Sequence, residues 1–302
     1  MRPARRHFIR AAGAAALAPL GALAQPRTPI TRRIPSSGET LPAIGVGTWL
    51  TFDAGADPQR RAMLAPVLRT FFERGGTLID SSPMYGSSEE VIGELLARLG
   101  RRSAAFAATK VWVIGRGAGI GQMEASRKLW GVERFDLLQV HNLVDWEVHL
   151  RTLRAWKAEG RVRYIGLTTS HGRRHAEMER AMTREPLDFV QFTYSLADRD
   201  AESRLLPLAA ERGIAVIANR PFDGGDLFDR VRGRRLPGWA PEIGCANWAQ
   251  AFLKFIVSHP AVTCTIPATS RADHMLENMG ALYGRLPDAA MRRRMARDFE
   301  AP

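Results

Sequence analysis

Thr77-Leu78-Ile79-Asp80-Ser81-Ser82-Pro83-Met84-Tyr85-Gly86-Ser87-Ser88-Glu89-Glu90-Val91-Ile92-Gly93-Glu94-Leu95-Leu96-Ala97-Arg98-Leu99-Gly100 holds an apolar run, a turn and a helical pattern, in that order. The run is β-rich and stops at Asp80, and from Glu89 to Leu99 apolar residues recur at helical spacing. Gly100 then stands where a helix C-cap favours glycine. The same unit repeats on either side. Strands are expected at residues 43–47, 77–80, 105–110, 137–141, 164–168, 189–192, 214–219 and 263–266, and helices between them at 59–73, 89–99, 147–159, 175–183 and 201–211. Gly75, Gly100, Gly160 and Gly213 close four of those helices. Strands alternating with helices predict a parallel sheet with crossover helices. Eight such units in roughly 240 residues fit a closed (β/α)8 TIM barrel better than an open sheet. Residues 32–42, with Ser36-Ser37-Gly38 in the middle, predict a short N-terminal β-hairpin ahead of the barrel. Two longer connections, 113–121 and 222–244, follow strand ends, where barrel active sites are built.

The remaining composition excludes other classes. With 45% hydrophobic and 25% charged residues among 302, the chain is neither disordered nor a coiled coil as a whole. Its most apolar stretch, 11–24, contains two glycines and a proline and is shorter than the roughly 18 residues of a membrane span, so no stable membrane insertion is expected. The net charge of +12 would suit nucleic acid. It is diffuse, however, and the clusters Arg232, Arg234, Arg235 and Arg292, Arg293, Arg294 lack interleaved aromatics, so they read as solvated faces and no nucleic-acid partner is expected. Cys245 and Cys264 are too few for a disulfide scaffold and lack metal-ligand spacing; a single bridge stays open.

Residues 1–24 have the layout of an export signal: Arg5 and Arg6, the apolar run, and Ala22-Leu23-Ala24 before Gln25. Arg5-Arg6-His7-Phe8-Ile9 resembles the twin-arginine signal, which implies the twin-arginine export machinery as a partner and a periplasmic or secreted protein folded before export. The domain expected after it is 25–302. If the signal is unused, the protein is cytoplasmic.

Polar residues close strands that are otherwise apolar: Asp80, Lys110 and His141, with Tyr85 five residues beyond Asp80. Each alone has a structural reading, but at successive strand ends of a barrel they converge on one pocket. The chemistry they can share is proton delivery. An adjacent lysine ammonium favours phenolate, so Lys110 is expected to lower the Tyr85 pKa from its usual value near 10, with Asp80 holding Lys110 and His141 orienting a carbonyl oxygen. Protonating a developing alkoxide needs a hydride source that side chains lack, and a reduced nicotinamide is the natural one.

Residues 76–93, then Ala108-Thr109-Lys110-Val111-Trp112 and Asp136-Leu137-Leu138-Gln139-Val140-His141, resemble the aldo-keto reductase signature and its next two motifs in order and spacing, within a resemblance running from about residue 30 to about 281. The resemblance implies an enzyme that reduces an aldehyde or ketone with NADPH on a (β/α)8 barrel. It makes Tyr85 the proton donor, Lys110 and Asp80 its tuning pair, and His141 the substrate-orienting group. Thr48 is among the implied cofactor positions. Gln191 matches the glutamine that bonds the nicotinamide carboxamide, and Thr168 and Thr169 stand where Ser-Asn is usual. Asn219-Arg220-Pro221-Phe222 replaces a stacking aromatic followed by Ser-Pro-Leu, with Arg220 placed toward the pyrophosphate. Ile266, Pro267, Ala268, Thr269, His274, Glu277 and Asn278 resemble the adenosine-phosphate region. Ala268 and His274 there replace the usual Lys and Arg, so NADP(H) is expected with NAD(H) as the alternative. Trp49 and Trp112 follow strands and are expected to line the pocket for a small-molecule carbonyl substrate.

Other patterns carry less. Glycines 115, 117, 119 and 121 fit neither G-x-G-x-x-G nor a phosphate loop and read as a mobile connection. His171 and His175 are spaced to share a helix face but lack further ligands, so no metal is expected. The rival from another class is a nicotinamide-binding sensor on the same scaffold, which the change at Asn219 favours.

Overall fold

The computed structural model describes residues 28–301, and the expected signal segment, 1–24, lies outside the described residues. Two antiparallel strands, β1 (Thr31–Arg33) and β2 (Thr40–Pro42), form the predicted hairpin. The barrel strands are β3 (Val46–Gly47), β4 (Leu78–Asp80), β5 (Phe106–Val111), β6 (Phe135–Val140), β7 (Val162–Thr168), β8 (Phe189–Thr193), β9 (Ala215–Asn219) and β10 (Cys264–Thr265). Each is parallel to the next in sequence, and bridges from Ile44 to Thr265 and from Gly47 to Ala268 join the last strand to the first. All eight expected strands are present, with ends moved by no more than three residues.

Helices α1 (Pro58–Glu73), α2 (Ser88–Leu99), α3 (Arg116–Trp130), α4 (Trp146–Ala158), α5 (His175–Arg184), α6 (Leu205–Arg212), α7 (Asp226–Arg230), α8 (Trp248–Val257), α9 (Ala272–Gly280) and α10 (Ala289–Glu300) complete the fold. Their ends follow local chemistry. Asp57 accepts from the Gln59 and Arg60 amides ahead of Pro58, and α2 ends at Gly100 with φ +62°, a left-handed cap that glycine takes without a Cβ penalty. The buried face of α2 is Val91, Ile92, Leu95 and Leu96. Burial of each such side chain contributes roughly 1.5–3 kcal/mol.

Side chains along a strand alternate between faces, and that alternation sorts the barrel interior into tiers. Leu78, Phe106, Leu137, Tyr164, Phe189 and Ala215 belong to one buried apolar cluster with Ile34 and Leu41, so the hairpin covers one end of the barrel. Two residues further along each strand come Asp80, Ala108, Gln139, Gly166, Gln191 and Ile217, and another two bring Lys110, His141, Thr168, Thr193 and Asn219. The interior therefore turns polar toward the strand C-termini. Hairpin and barrel are also tied by Tyr164, whose hydroxyl lies 2.7 Å from Ser37 Oγ and from Glu39 Oε2.

Several expectations are corrected. Residues 115–121 are no mobile connection: α3 starts at Arg116 and takes in Gly117, Gly119 and Gly121. At Gly119 the reason is close packing, since a Cβ there would lie 2.4 Å from His149 Cε1, while Gly117 and Gly121 face open space. The helix expected over 201–211 begins only at Leu205, after a 3-10 turn, Asp200–Glu202. The connection 222–244 contains α7 and a second 3-10 turn, Ala240–Ile243. Gly75 and Gly160 sit one residue beyond the caps Arg74 and Glu159, with φ +82° and +75°. His171, with φ +60°, precedes α5, so it shares no helix face with His175. Cys245 and Cys264 are both free and buried.

Among the described residues no helix is long and apolar enough to cross a membrane, and no group of three or more His, Cys, Asp or Glu could hold a metal ion.

Candidate active site

The polar tier converges on Asp80. Lys110, fully buried on β5, donates from Nζ to Asp80 Oδ1 at 2.5 Å and to the Ser81 carbonyl at 2.8 Å. The other carboxylate oxygen accepts from Gln191 Nε2 at 3.0 Å and Gln139 Nε2 at 3.2 Å. Both charges thus sit in the interior paired and hydrogen-bonded, the condition under which a buried pair is tolerated. Thr48 closes the arrangement below, its hydroxyl 3.0 Å from the Asp80 carbonyl and 2.9 Å from Ser81 Oγ.

Tyr85 lies above this pair, with the Lys110 ammonium 5.0 Å from its ring centroid. Burial pushes the Tyr85 phenol above its ordinary range; the Lys110 charge pulls it down, and the Asp80 charge adds to the rise. The expected lowering by Lys110 is therefore corrected: desolvation and the carboxylate behind the lysine outweigh the ammonium. Burial likewise opposes the Lys110 charge, yet Asp80 and Tyr85 together hold its pKa above that of an ordinary lysine.

His141 sets its ring edge-on to Tyr85, centroids 5.6 Å apart, and places Nδ1 2.9 Å from Ser82 Oγ. Burial, helped by the nearby Lys110 charge, pushes its pKa down to about 2, so the imidazole is neutral at every ordinary pH.

A cavity of about 380 Å³ opens over these groups. Of the residues singled out in the sequence, its wall contains Asp80, Tyr85 and His141; Thr48 and Trp49; Thr168, Thr169, Gln191 and Asn219; and Arg220, Pro221, Phe222, Ile266 and Ala268. Lys110 lies beneath, reaching the site through Asp80 and Tyr85. Trp112 is absent from the wall: it is 41% exposed, and its backbone is tied to the Gln122 amide. Pro267 and Thr269 follow β10 outside the wall, as do His274, Glu277 and Asn278 on α9.

Asn219 is bound into the wall rather than presented flat to the cavity. Its amide donates to the Thr169 carbonyl at 2.8 Å and lies 3.4 Å from Gln191 Oε1, and its oxygen accepts from Thr193 at 2.9 Å. Arg220 pairs with Asp223 at 2.7 Å. Leu50, Asn142, Leu143, Asp145, His171, Arg174, Arg220 and Asp223 all have φ between +50° and +62°, and all lie in segments that follow barrel strands. Such conformations cost of order 1–3 kcal/mol each for residues with side chains and gather at functional sites.

Several polar residues escaped the sequence reading: Ser81, Ser82 and Gln139 beside Asp80, and Asn142, Ser170 and Arg173 on the cavity wall. Gln139 carries a visible signal, a lone amide inside Leu137-Leu138-Gln139-Val140. Ser81 and Ser82 carry none beyond their place after Asp80, because serines in a turn are ordinary.

The sequence profile described as the Aldo/keto reductase family matches residues 43–295. The methylglyoxal reductase YeaE of Escherichia coli is 28% identical over 268 residues, 86% of this chain and 92% of that protein. The aldo-keto reductase str7 of Strobilurus tenacellus is 27% identical over 277 residues, 78% of this chain and 82% of that protein. Among solved structures, the thermostable aldo-keto reductase Tm1743, in complex with the inhibitor epalrestat, superposes with a TM-score of 0.74 at 25% identity, covering 89% of this chain and 99% of its own. An aldo/keto reductase from Klebsiella pneumoniae, solved with NADP and acetate, gives 0.71 at 24% identity over 88% and 94% of the two chains, a likeness of fold.

Proposed function

The chain belongs to the aldo/keto reductase family, and from that we propose that it reduces a small aldehyde or ketone to the alcohol with a reduced nicotinamide dinucleotide, Tyr85 delivering the proton. The observation that carries this reading is the convergence of Tyr85, His141 and the Lys110–Asp80 pair on one cavity at the strand C-termini.

The cavity wall fits the cofactor. Thr169 Oγ1 and Arg220 Nε are buried there without hydrogen-bond partners, a donor and acceptor set left open for a polar ligand. Thr168, Thr169, Gln191 and Asn219 would hold the nicotinamide end and Arg220 the diphosphate, with residues 266–278 along the adenosine end. When bound, the dinucleotide supplies the hydride. The protein's own residues do the rest. The Tyr85 phenol, kept protonated by its surroundings, gives its hydrogen to the carbonyl oxygen as negative charge develops there. Lys110 stabilises the phenolate that remains, and Asp80, held by two glutamine amides, keeps Lys110 in place. Neutral His141 offers a hydrogen bond to the same oxygen without competing for the proton.

Methylglyoxal, named for the Escherichia coli relative, is the first substrate to try. Fluorescence titration of the full chain with NADPH and with NADH, followed by methylglyoxal and a panel of aldehydes and ketones, is expected to show binding and then cofactor oxidation. NADP(H) is the proposed partner; tighter binding of NADH would trace to Ala268 and His274. Tight binding with no oxidation across the panel would favour the sensor reading that the tethered Asn219 supports.

Export by the twin-arginine route is proposed from Arg5 and Arg6. Replacing both with lysine is expected to retain the protein in the cytoplasmic fraction; unchanged fractionation would remove the proposal.

A further inference from the structure

We propose that Ser82 is a positioning residue for His141: its hydroxyl donates to Nδ1, so the ring hydrogen sits on Nε2, the nitrogen left to the cavity. The proposal rests on the reductase reading for its catalytic meaning but not for its geometry.

Ser82 is fully buried, and its Oγ lies 2.9 Å from His141 Nδ1. The same oxygen accepts from the Met84 amide at 3.3 Å. Two placements of the ring hydrogen are conceivable. With the hydrogen on Nδ1, Ser82 Oγ would receive two N–H donors and its own hydrogen would have no acceptor among the described residues, in a place with no access to water. With the hydrogen on Nε2, the serine hydrogen points to the Nδ1 lone pair and the oxygen keeps the Met84 amide, so Ser82 and Nδ1 are both satisfied and the Nε2–H is left to the cavity. The second arrangement is the one the geometry selects. Its neutral charge state follows from burial and the Lys110 ammonium nearby.

The consequence concerns the reaction. A neutral imidazole has one donor and one acceptor nitrogen, and which of them faces a ligand is set by the bond the other makes. A carbonyl oxygen needs the donor. Ser82 therefore supplies what the backbone at His141 does not: it makes the nitrogen facing the substrate an N–H at all times. No hydrogen bond to the protein engages Nε2 among the described residues, and His141 lines the cavity wall beside Tyr85.

The test reads the hydrogen directly. In the full chain with 15N-labelled histidine, two-bond 15N–1H correlation reports the state of each ring, and the His141 signal is assigned by its loss in His141→Gln. The wild type is expected to show a single Nε2–H pattern. In Ser82→Ala the pattern should move toward a mixture with Nδ1–H, and Ser82→Thr, which keeps a hydroxyl, should restore it. Alongside, kcat/KM for the carbonyl substrate should fall about tenfold in Ser82→Ala, the lower end of what hydrogen-bond partners contribute where a histidine ligates a metal, with the NADPH dissociation constant unchanged. An Nδ1–H pattern in the wild type would overturn the proposal without any variant having to fold, and so would an unchanged pattern in Ser82→Ala. A wild type with the Nε2–H pattern that turns over no carbonyl would overturn the reductase reading and leave the placement of the hydrogen standing.

Discussion

Tyr85→Phe is expected to lower carbonyl reduction by about 10²- to 10⁴-fold, the span of a positioned general acid, while NADPH titrates the protein as before. The change removes one oxygen and leaves the ring's packing against His141 in place. No neighbour can take over. His141 holds no transferable proton above about pH 2 as an imidazolium, and the Lys110 ammonium is committed to Asp80 and the Ser81 carbonyl in a fully buried position. The same facts predict the pH dependence. The Tyr85 phenol lies above its ordinary value, so it keeps its proton through neutrality and into alkali, and His141 has already lost its second proton far below that range. Between roughly pH 5 and 9, the rate of the reduction step in single-turnover mixing should therefore stay level. A limb near pH 6 to 7 would show a charged His141 taking part, and wild-type turnover in Tyr85→Phe would remove Tyr85 from the acid's role.

Much of this arrangement is legible in the sequence, for a physical reason. In a parallel barrel every strand is buried on both faces, so an ionisable residue at a strand end stands out against an apolar run, as Asp80, Lys110 and His141 do. The less legible features depend on contacts between distant segments. Glycine spacing at 115–121 reads as loop when taken locally, because helix propensity counts against it. Only the approach of His149 from α4 shows why one of them, Gly119, is small; a Cβ on Gly117 or Gly121 would meet nothing within 4 Å. Gly93 carries the same lesson: a Cβ there would lie 1.9 Å from the Leu129 carbonyl of α3, a contact between α2 and α3 that no window of sequence contains. The direction of the Tyr85 pKa failed for a related reason. Lys110 alone predicts a fall, whereas the outcome is set by burial and by the charge standing behind that neighbour. The position of Trp112 after a strand points to the pocket, yet the Gln122 side chain holds its backbone and the ring stays outside the wall.

The second large effect is on stability. Asp80→Ala is expected to cost about 3–5 kcal/mol, the usual penalty for removing one partner of a buried ion pair. Lys110 would lose its counter-charge and keep the Ser81 carbonyl and Tyr85, and the Gln139 and Gln191 amides would lose the oxygen they share. The cost comes from the groups left behind, which gives the prediction its control. Asp80→Asn combined with Lys110→Met removes both charges and keeps a carbonyl oxygen for one amide, so it should be less destabilised than Asp80→Ala alone. Urea unfolding midpoints of the wild type and the two variants decide this; a double variant weaker than the single one would show that the pair itself, rather than the stranded charge, holds the barrel end together. The pH dependence has a definite sign. Lys110 is held above the ordinary lysine value, so the stability it contributes is fully present below about pH 10.4, the unfolded value, and is lost only as the pH rises through the folded value. Across the neutral range the difference between wild type and Asp80→Ala should accordingly stay constant, and added salt should leave it unchanged, which separates this buried pair from the exposed ion pairs on the helices, where salt alone would erase the effect.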